Sequence, residues 1–207
     1  MIRILRSSVG LALMGCAVLI AIAQGGSSAA QEKGSPKAQA ASGFGAEFLT
    51  HWDEFSKKIV SLAEAMPVEK YSWRPGEGVR SVGEVYTHIA GGNYWFLQIV
   101  GVQPPSGVDV KGIGSLTDKE KIVEALKQSC QYVHQTVLKT SDANLNKPAK
   151  IFGREGTVRE VFLMILTHDS EHLGQSIAYA RMNSVVPPWT AEQQAKQQQA
   201  PKKQKRK

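Results

Sequence analysis

Four stretches of this chain carry apolar residues at helical spacing, and each is bounded by residues that start or stop helices. The first runs from about Phe44 to Met66, with Phe48, Trp52, Phe55, Ile59, Leu62 and Met66 on one side, and Pro67 ends it. The second spans Ser81 to about Val100. The third spans Thr117 to about Lys139 on the stripe Val123, Leu126, Cys130, Val133 and Val137. The fourth runs from Thr157 to about Asn183, before Pro187 and Pro188. Three of them open on Ser or Thr with Glu three residues later (Ser81/Glu84, Thr117/Glu120, Thr157/Glu160), the reciprocal cap that satisfies two otherwise orphaned backbone N–H groups. Helices with one apolar stripe must bury it against one another, so the expected fold is all-α, a four-helix bundle. The connections are longer than an ordinary bundle turn, which predicts crossovers and short extended pieces around Lys150 to Arg154.

The ends of the chain read differently from its centre. Arg3 and Arg6 precede an apolar run from Val9 to Ala23, too short for a membrane span, with small residues at Ala21 and Ala23 before Gln24. We read residues 1–23 as a signal peptide, residues 24–43 as a Gly/Ser/Ala/Gln linker, and the protein as exported to the periplasm or beyond the cell. Lipidation at Cys16 is the less favoured alternative, because Met14 is unusual in such a signal and an apolar stretch follows. Residues 191–207, rich in Gln, Lys and Ala, are expected to be a disordered basic tail. Residues 1–23 and 191–207 together carry the whole formal charge of +7, and the 17 cations and 17 anions of residues 24–190 cancel. That balance argues against a nucleic-acid-binding face. No membrane span is expected once the signal is removed. Cys16 leaves with the signal and Cys130 has no partner, so no disulfide framework exists; Cys130 reads as core packing.

The chemistry lies in the histidines. His168 and His172 stand four apart on the fourth helix, one turn from each other on the same face, and His88 sits on the second. On helical wheels His168 and His172 share an arc with Val161, Ile165, Gln175 and Tyr179. His88 shares one with Val85, Gly92, Trp95 and Ile99. All three should therefore point into the bundle interior. A hydrogen-bonded cluster is one explanation of the convergence; we favour a divalent transition metal, zinc or nickel, on three imidazoles with an open position. Gly91 and Gly92 would either leave space for a substrate or allow close helix packing. Trp95, Gln175 and Tyr179 are candidates to line that pocket or to support the ligands. His51 and His134 read as boundary residues, with a fourth-ligand role as the alternative.

The segments "SWRPGEGVRSVGEVYTHIAGGNYWF" and "HDSEHLGQSIAYARMNSVVPPW" resemble the DinB-like (damage-inducible) metalloprotein superfamily, over essentially all of residues 44–190. The resemblance implies a four-helix bundle with a divalent metal on His88, His168 and His172. Leu173 stands where many members have Arg. Relatives include low-molecular-weight-thiol transferases and a thiol-dependent isomerase, and members are often dimers. The run His168 to His172 also spells the H-x-x-E-H of inverted zinc proteases, but the only downstream glutamate is Glu192 in the tail, and that reading is set aside. Glu171 and Asp169 are read as solvated helix carboxylates, with a supporting acid behind the metal ligands as the alternative for each.

Two function classes stay open: a metal-dependent transferase or hydrolase acting on a small molecule, and a non-catalytic metal-binding or interaction protein. No catalytic residue or substrate is assigned. Apolar Leu163, Leu166 and Ile177, away from the histidine arc, lead us to expect a homodimer.

Overall fold

The computed structural model describes residues 43–199, so the expected signal peptide, nearly all of the linker and residues 200–207 lie outside the described residues. Seven helices and one hairpin follow in the order α1 (Gly43–Ala65), α2 (Val82–Ile99), α3 (Val110–Ile113), α4 (Lys119–Lys139), α5 (Asp142–Leu145), β1 (Pro148–Ile151), β2 (Arg154–Thr157), α6 (Val158–Met182) and α7 (Pro188–Gln199). The four long elements α1, α2, α4 and α6 are the four expected helices. Their apolar stripes make the core: all six residues of the α1 stripe and all five of the α4 stripe are buried. The polar tips of two large core side chains are satisfied: the Trp52 indole donates to the Cys130 carbonyl at 3.0 Å and the Tyr71 hydroxyl to the Ala63 carbonyl at 2.7 Å.

Each of the four packs on two others, with α1 beside α4 and α6, and α2 beside the same two, so consecutive α1 and α2 lie across a diagonal. Directions follow from side-chain pairs. Asp53 meets His134 while Lys127 meets Glu64, so α1 and α4 are antiparallel. Asn93 meets Ser129 and Tyr94 meets Tyr132, so α2 and α4 are parallel. The bundle therefore runs up, down, down, up. The segment between α2 and α4 must climb the full bundle, and it carries α3 along α2 as it does so. Residues Val108, Val110 and Ile113 of this crossover cover Ala90 and Tyr94. Extended pieces were expected near Lys150. They form an antiparallel hairpin in which Ile151 pairs with Arg154 around a two-residue turn, with Phe152 at φ 48° and Gly153 at φ 86°.

The caps hold with one change. Ser81 and Glu84 make the full box: the Glu84 N–H donates to Ser81 Oγ at 3.3 Å, and the Ser81 N–H to Glu84 Oε2 at 2.6 Å. Thr157 accepts from the Glu160 N–H at 3.3 Å, but the Glu160 carboxylate pairs with Arg154. At α4 the cap is Asp118 rather than Thr117; its carboxylate accepts from the Lys121 N–H at 2.9 Å. Asp is as good an N-cap as Thr or better, so the neighbouring residue takes the position.

Two further expectations change. Residues 191–199 were assigned to a disordered tail, yet they continue α7, which begins at Pro188 and is exposed from Ala191 onward. Proline suits a first helical turn, and Ala, Gln, Glu and Lys are good helix formers. Trp189 anchors the helix, with the Lys58 ammonium 5.9 Å from its ring. Of the apolar residues offered as a dimer surface, Leu166 and Ile177 pack against the core and only Leu163 is exposed. Among the described residues no helix is long and apolar enough to cross a membrane.

Candidate metal centre

His88, at mid-length on α2, meets His168 and His172, at mid-length on α6, across the seam between these antiparallel helices. One ring nitrogen from each lies within 4.8 Å of the other two. Nε2 of His88 and Nε2 of His168 are 3.0 Å apart. Two nitrogens each about 2.1 Å from one ion and subtending 90 to 110° would be about 3.0 to 3.4 Å apart, so this spacing is that of two neighbouring ligands. The donor set suits a divalent transition metal in both geometry and chemistry. No fourth Cys, His, Asp or Glu joins the cluster among the described residues.

The rings are half-buried and not, as expected, in the bundle interior. The reason lies in α2, which is buried on two sides: by the core proper and by the crossover with α3. Its arc through His88, Gly92 and Trp95 is left to face the α2–α6 seam, and Trp95 is 46% exposed. Burial still depresses both of the perturbed imidazoles. His88 is pushed down to about 4, first by desolvation and then by the Arg80 charge. His172 is lowered by desolvation, against the pull of its bond to Gln175. Neutral imidazoles are the form that coordinates.

Two rings are held from behind. His168 Nδ1 faces Asp169 Oδ1 at 2.9 Å, and His172 Nδ1 faces Gln175 Oε1 at 2.8 Å. A carboxylate or amide oxygen there accepts an N–H, which fixes the tautomer that leaves Nε2 free to coordinate. The second support continues outward: Gln175 Nε2 donates to the Tyr179 hydroxyl at 2.9 Å, and that hydroxyl donates to the Arg80 carbonyl at 3.2 Å. Gln175 and Tyr179 thus orient His172 and tie α6 to the loop before α2. Trp95 stands apart from the triad, edge-on to Phe96 and tilted against Phe152, and only Phe96 reaches His168, at 5.2 Å between ring centres.

Asp169 was read as a solvated carboxylate and is instead wholly buried. Desolvation pushes its carboxyl up to about 6, while His168 and Asn93 pull the other way. Asn93, also fully buried, stands near this carboxyl and donates to Ser129 Oγ at 3.1 Å, linking α2 to α4, while Asp169 Oδ2 and Asn93 Oδ1 have no hydrogen-bond partner among the described residues. A signal for Asp169 exists: Phe162, Ile165, Asp169 and Ser176 follow one another at helical spacing on the buried side of α6. Glu171, by contrast, is exposed.

The two glycines separate. A Cβ on Gly92 would lie 3.2 Å from His168 Cε1, whereas one on Gly91 would meet nothing within 4 Å. A side chain at Gly92 would press on the His168 ring, which would have to shift by a few tenths of an ångström, whereas Gly91 is not required by packing. His134 pairs with Asp53 at 2.7 Å between α1 and α4, and His51 is exposed on α1; neither joins the triad. A groove of about 750 Å³ between α1 and α4 has Cys130 and His134 on its walls but no converging donors among the described residues. Cys130 there is no nucleophile, since burial pushes its thiol far up. A smaller cavity of about 380 Å³ does reach the triad, at His88. Donor chemistry outweighs size, and the triad is the candidate site.

The DinB superfamily profile matches residues 51–176, which include all three histidines. This chain belongs to the DinB superfamily. Among solved structures it is similar to a DinB-like protein from Bacillus cereus ATCC 10987, with a TM-score of 0.59 and 18% identity over 68% of this chain and 93% of that one. A DinB-like protein from Bacillus subtilis aligns with a TM-score of 0.46 and 18% identity over 68% of this chain and 94% of that one. The first likeness supports the DinB-like bundle as the fold. No curated protein matches the chain.

Proposed function

We propose that the protein binds one divalent transition metal, zinc or nickel, through His88, His168 and His172, and uses it in a transferase or hydrolase reaction on a small molecule, of thiol-transferase type. The observation that carries this reading is the convergence of three imidazole nitrogens within 4.8 Å, two of them backed by side-chain oxygens. Three ligands beside a cavity that His88 lines, with no fourth Cys, His, Asp or Glu donor among the described residues, leave room for a substrate atom, which favours an enzyme over a storage or structural site. A divalent ion held there lowers the pKa of a bound thiol or water and so supplies a nucleophile near neutral pH. The chain's own part is to keep His88 and His172 neutral by burial, to fix two ring orientations through Asp169 and Gln175, and to wall one side with Phe96. Metal analysis of carefully metallated protein should return about one ion per chain. His168→Ala or His172→Ala should remove it, and loss of stoichiometric metal from the unaltered protein would reject the proposal. A transfer screen with small thiols follows for the loaded protein; retained metal without any turnover would leave the non-catalytic metal-binding alternative.

Two further readings belong with this one. Export rests on the residues 1–23 pattern, and an intact Met1 on protein isolated from its source would reject it. A homodimer rests on the α6 face that keeps Leu163 exposed; a monomer mass in light scattering, unaltered by Leu163→Glu, would reject it.

A further inference from the structure

The cavity that reaches His88 is also lined by Arg80, the residue before the α2 N-cap, and by Arg74 and Glu84. The two arginines do different work. Arg74 is spent on structure: its guanidinium donates to the Val79 carbonyl at 2.9 Å and to Glu84 Oε1 at 3.1 Å. That bracing fixes the loop that carries Arg80. Arg80 itself forms no ion pair among the described residues, and its side chain is exposed on the cavity wall. It shares the lining of this one cavity with His88, so a molecule seated there meets the guanidinium and the edge of the triad together.

Charge accounting decides what the cavity takes. Three neutral imidazoles leave a divalent ion uncompensated, and the one buried carboxylate behind them, Asp169, offsets half of it. Arg80 adds a further positive charge, and Glu84 is already claimed by Arg74. Glu171, the other carboxylate acting on His172, is exposed and outside this cavity. The site is thus cationic at two points: the ion position and the guanidinium.

We propose that Arg80 anchors a carboxylate of the substrate, so that the small molecule accepted at the triad is an acid whose reacting group lies at the histidines and whose carboxylate lies at Arg80. This rests on the metal-site reading above. One guanidinium carries one charge in a planar fork, which matches a monoanionic carboxylate better than a doubly charged phosphate.

The test uses the protein loaded with cobalt(II), whose visible spectrum reports a thiol entering the site. Mercaptoacetate, 4-mercaptobutyrate and 6-mercaptohexanoate are each titrated against their primary amides. At least one acid should bind about three- to tenfold more tightly than its amide, the range for a charge-assisted pair that is partly solvated. That preference should shrink with added salt. It should vanish in Arg80→Gln, which should keep full cobalt content because only the Arg80 carbonyl is used in the fold. Arg80→Lys should retain part of it. Equal binding of every acid and amide, or a preference that survives Arg80→Gln, overturns the carboxylate anchor while leaving the metal site standing. Failure of the unaltered protein to hold cobalt overturns both.

Discussion

Replacing Asp169 with Asn should separate two roles that this carboxylate plays, because they carry opposite signs. In the metal-free protein the wholly buried carboxyl titrates at about 6, against an ordinary value of 3.8 in the unfolded chain. Below 3.8 both states hold the proton and the shift is without effect. Between 3.8 and about 6 the folded state keeps a proton that the unfolded state has lost, so stability falls as pH rises through this window. Above it the full penalty is present, about 3 kcal/mol from the two values at 1.36 kcal/mol for each tenfold change. Asparagine cannot ionise. Any hydrogen bond its amide leaves unmade is a constant offset, so the clean readout is the difference between the two proteins as a function of pH. Urea unfolding after chelator treatment, at steps from pH 3.5 to 7.5, should show the parent losing about 3 kcal/mol relative to Asp169→Asn. With metal the order reverses. The carboxylate accepts the His168 Nδ1–H and makes Nε2 a better ligand, so the variant should bind zinc roughly 10- to 100-fold more weakly at pH 7.5. Parallel stability curves would refute the burial argument, and unchanged zinc affinity would refute the positioning of His168.

The glycines give a paired test. Gly92→Ala puts a Cβ 3.2 Å from His168 Cε1 and should weaken metal binding, whereas Gly91→Ala meets open space and should raise the unfolding free energy by about 0.5 to 1 kcal/mol with metal binding unchanged. Ser81→Ala should cost about 1 kcal/mol in thermal or urea unfolding through loss of the α2 cap. Glu84 is held below its ordinary 4.5 chiefly by the Ser81 N–H, so its stabilisation is complete above pH 4.5 and is lost as pH falls through the lower folded value; Glu84→Gln should flatten that acid limb. Cys130, buried with its thiol pushed up, should resist a thiol reagent in the native protein and react fully in denaturant; rapid native labelling would contradict its place in the core.

The parts of this fold that were legible from sequence are those with a period or a fixed local stereochemistry. The α1 and α4 stripes repeat at helical spacing, and Ser81/Glu84 has one conformational meaning, so elements and core followed directly. The triad was legible for the same reason: a four-residue interval fixes a shared face whatever surrounds it. What escaped depends on contacts between elements distant in sequence. That α2 is covered on a second side could not be read from α2, because the covering residues Val108 and Ile113 belong to a crossover whose path is set only when α4 docks parallel to it. That single fact moves His88 from the interior to the seam. Asp169 escaped because a carboxylate on a helix is ordinarily solvated; its burial follows from Phe162 and Ile165 on the same side of α6, and its function from the ring one residue away.

The cost of that burial explains the shape of the site. A carboxylate removed from water is unfavourable unless something nearby repays it. Here the one hydrogen-bond partner among the described residues is an imidazole, Asp169 Oδ2 has none, and the amide of the neighbouring Asn93 is tied to Ser129 on α4. These contacts leave the carboxyl raised, and therefore unsatisfied, in the metal-free chain. A cation at the other nitrogen of His168 would turn this penalty into a gain, since it would draw on the imidazole from one side while the carboxylate supports it from the other. The same arrangement makes the supporting shell more demanding than the ligands themselves. His168 and His172 need only a four-residue interval on one helix, but Asp169, Asn93 and Ser129 must meet from α6, α2 and α4. Substitution at Asn93 or Ser129 should therefore weaken metal binding although neither touches the ion position, and a Ser129→Ala protein with unaltered zinc affinity and unaltered unfolding would show that the chain ends at Asp169.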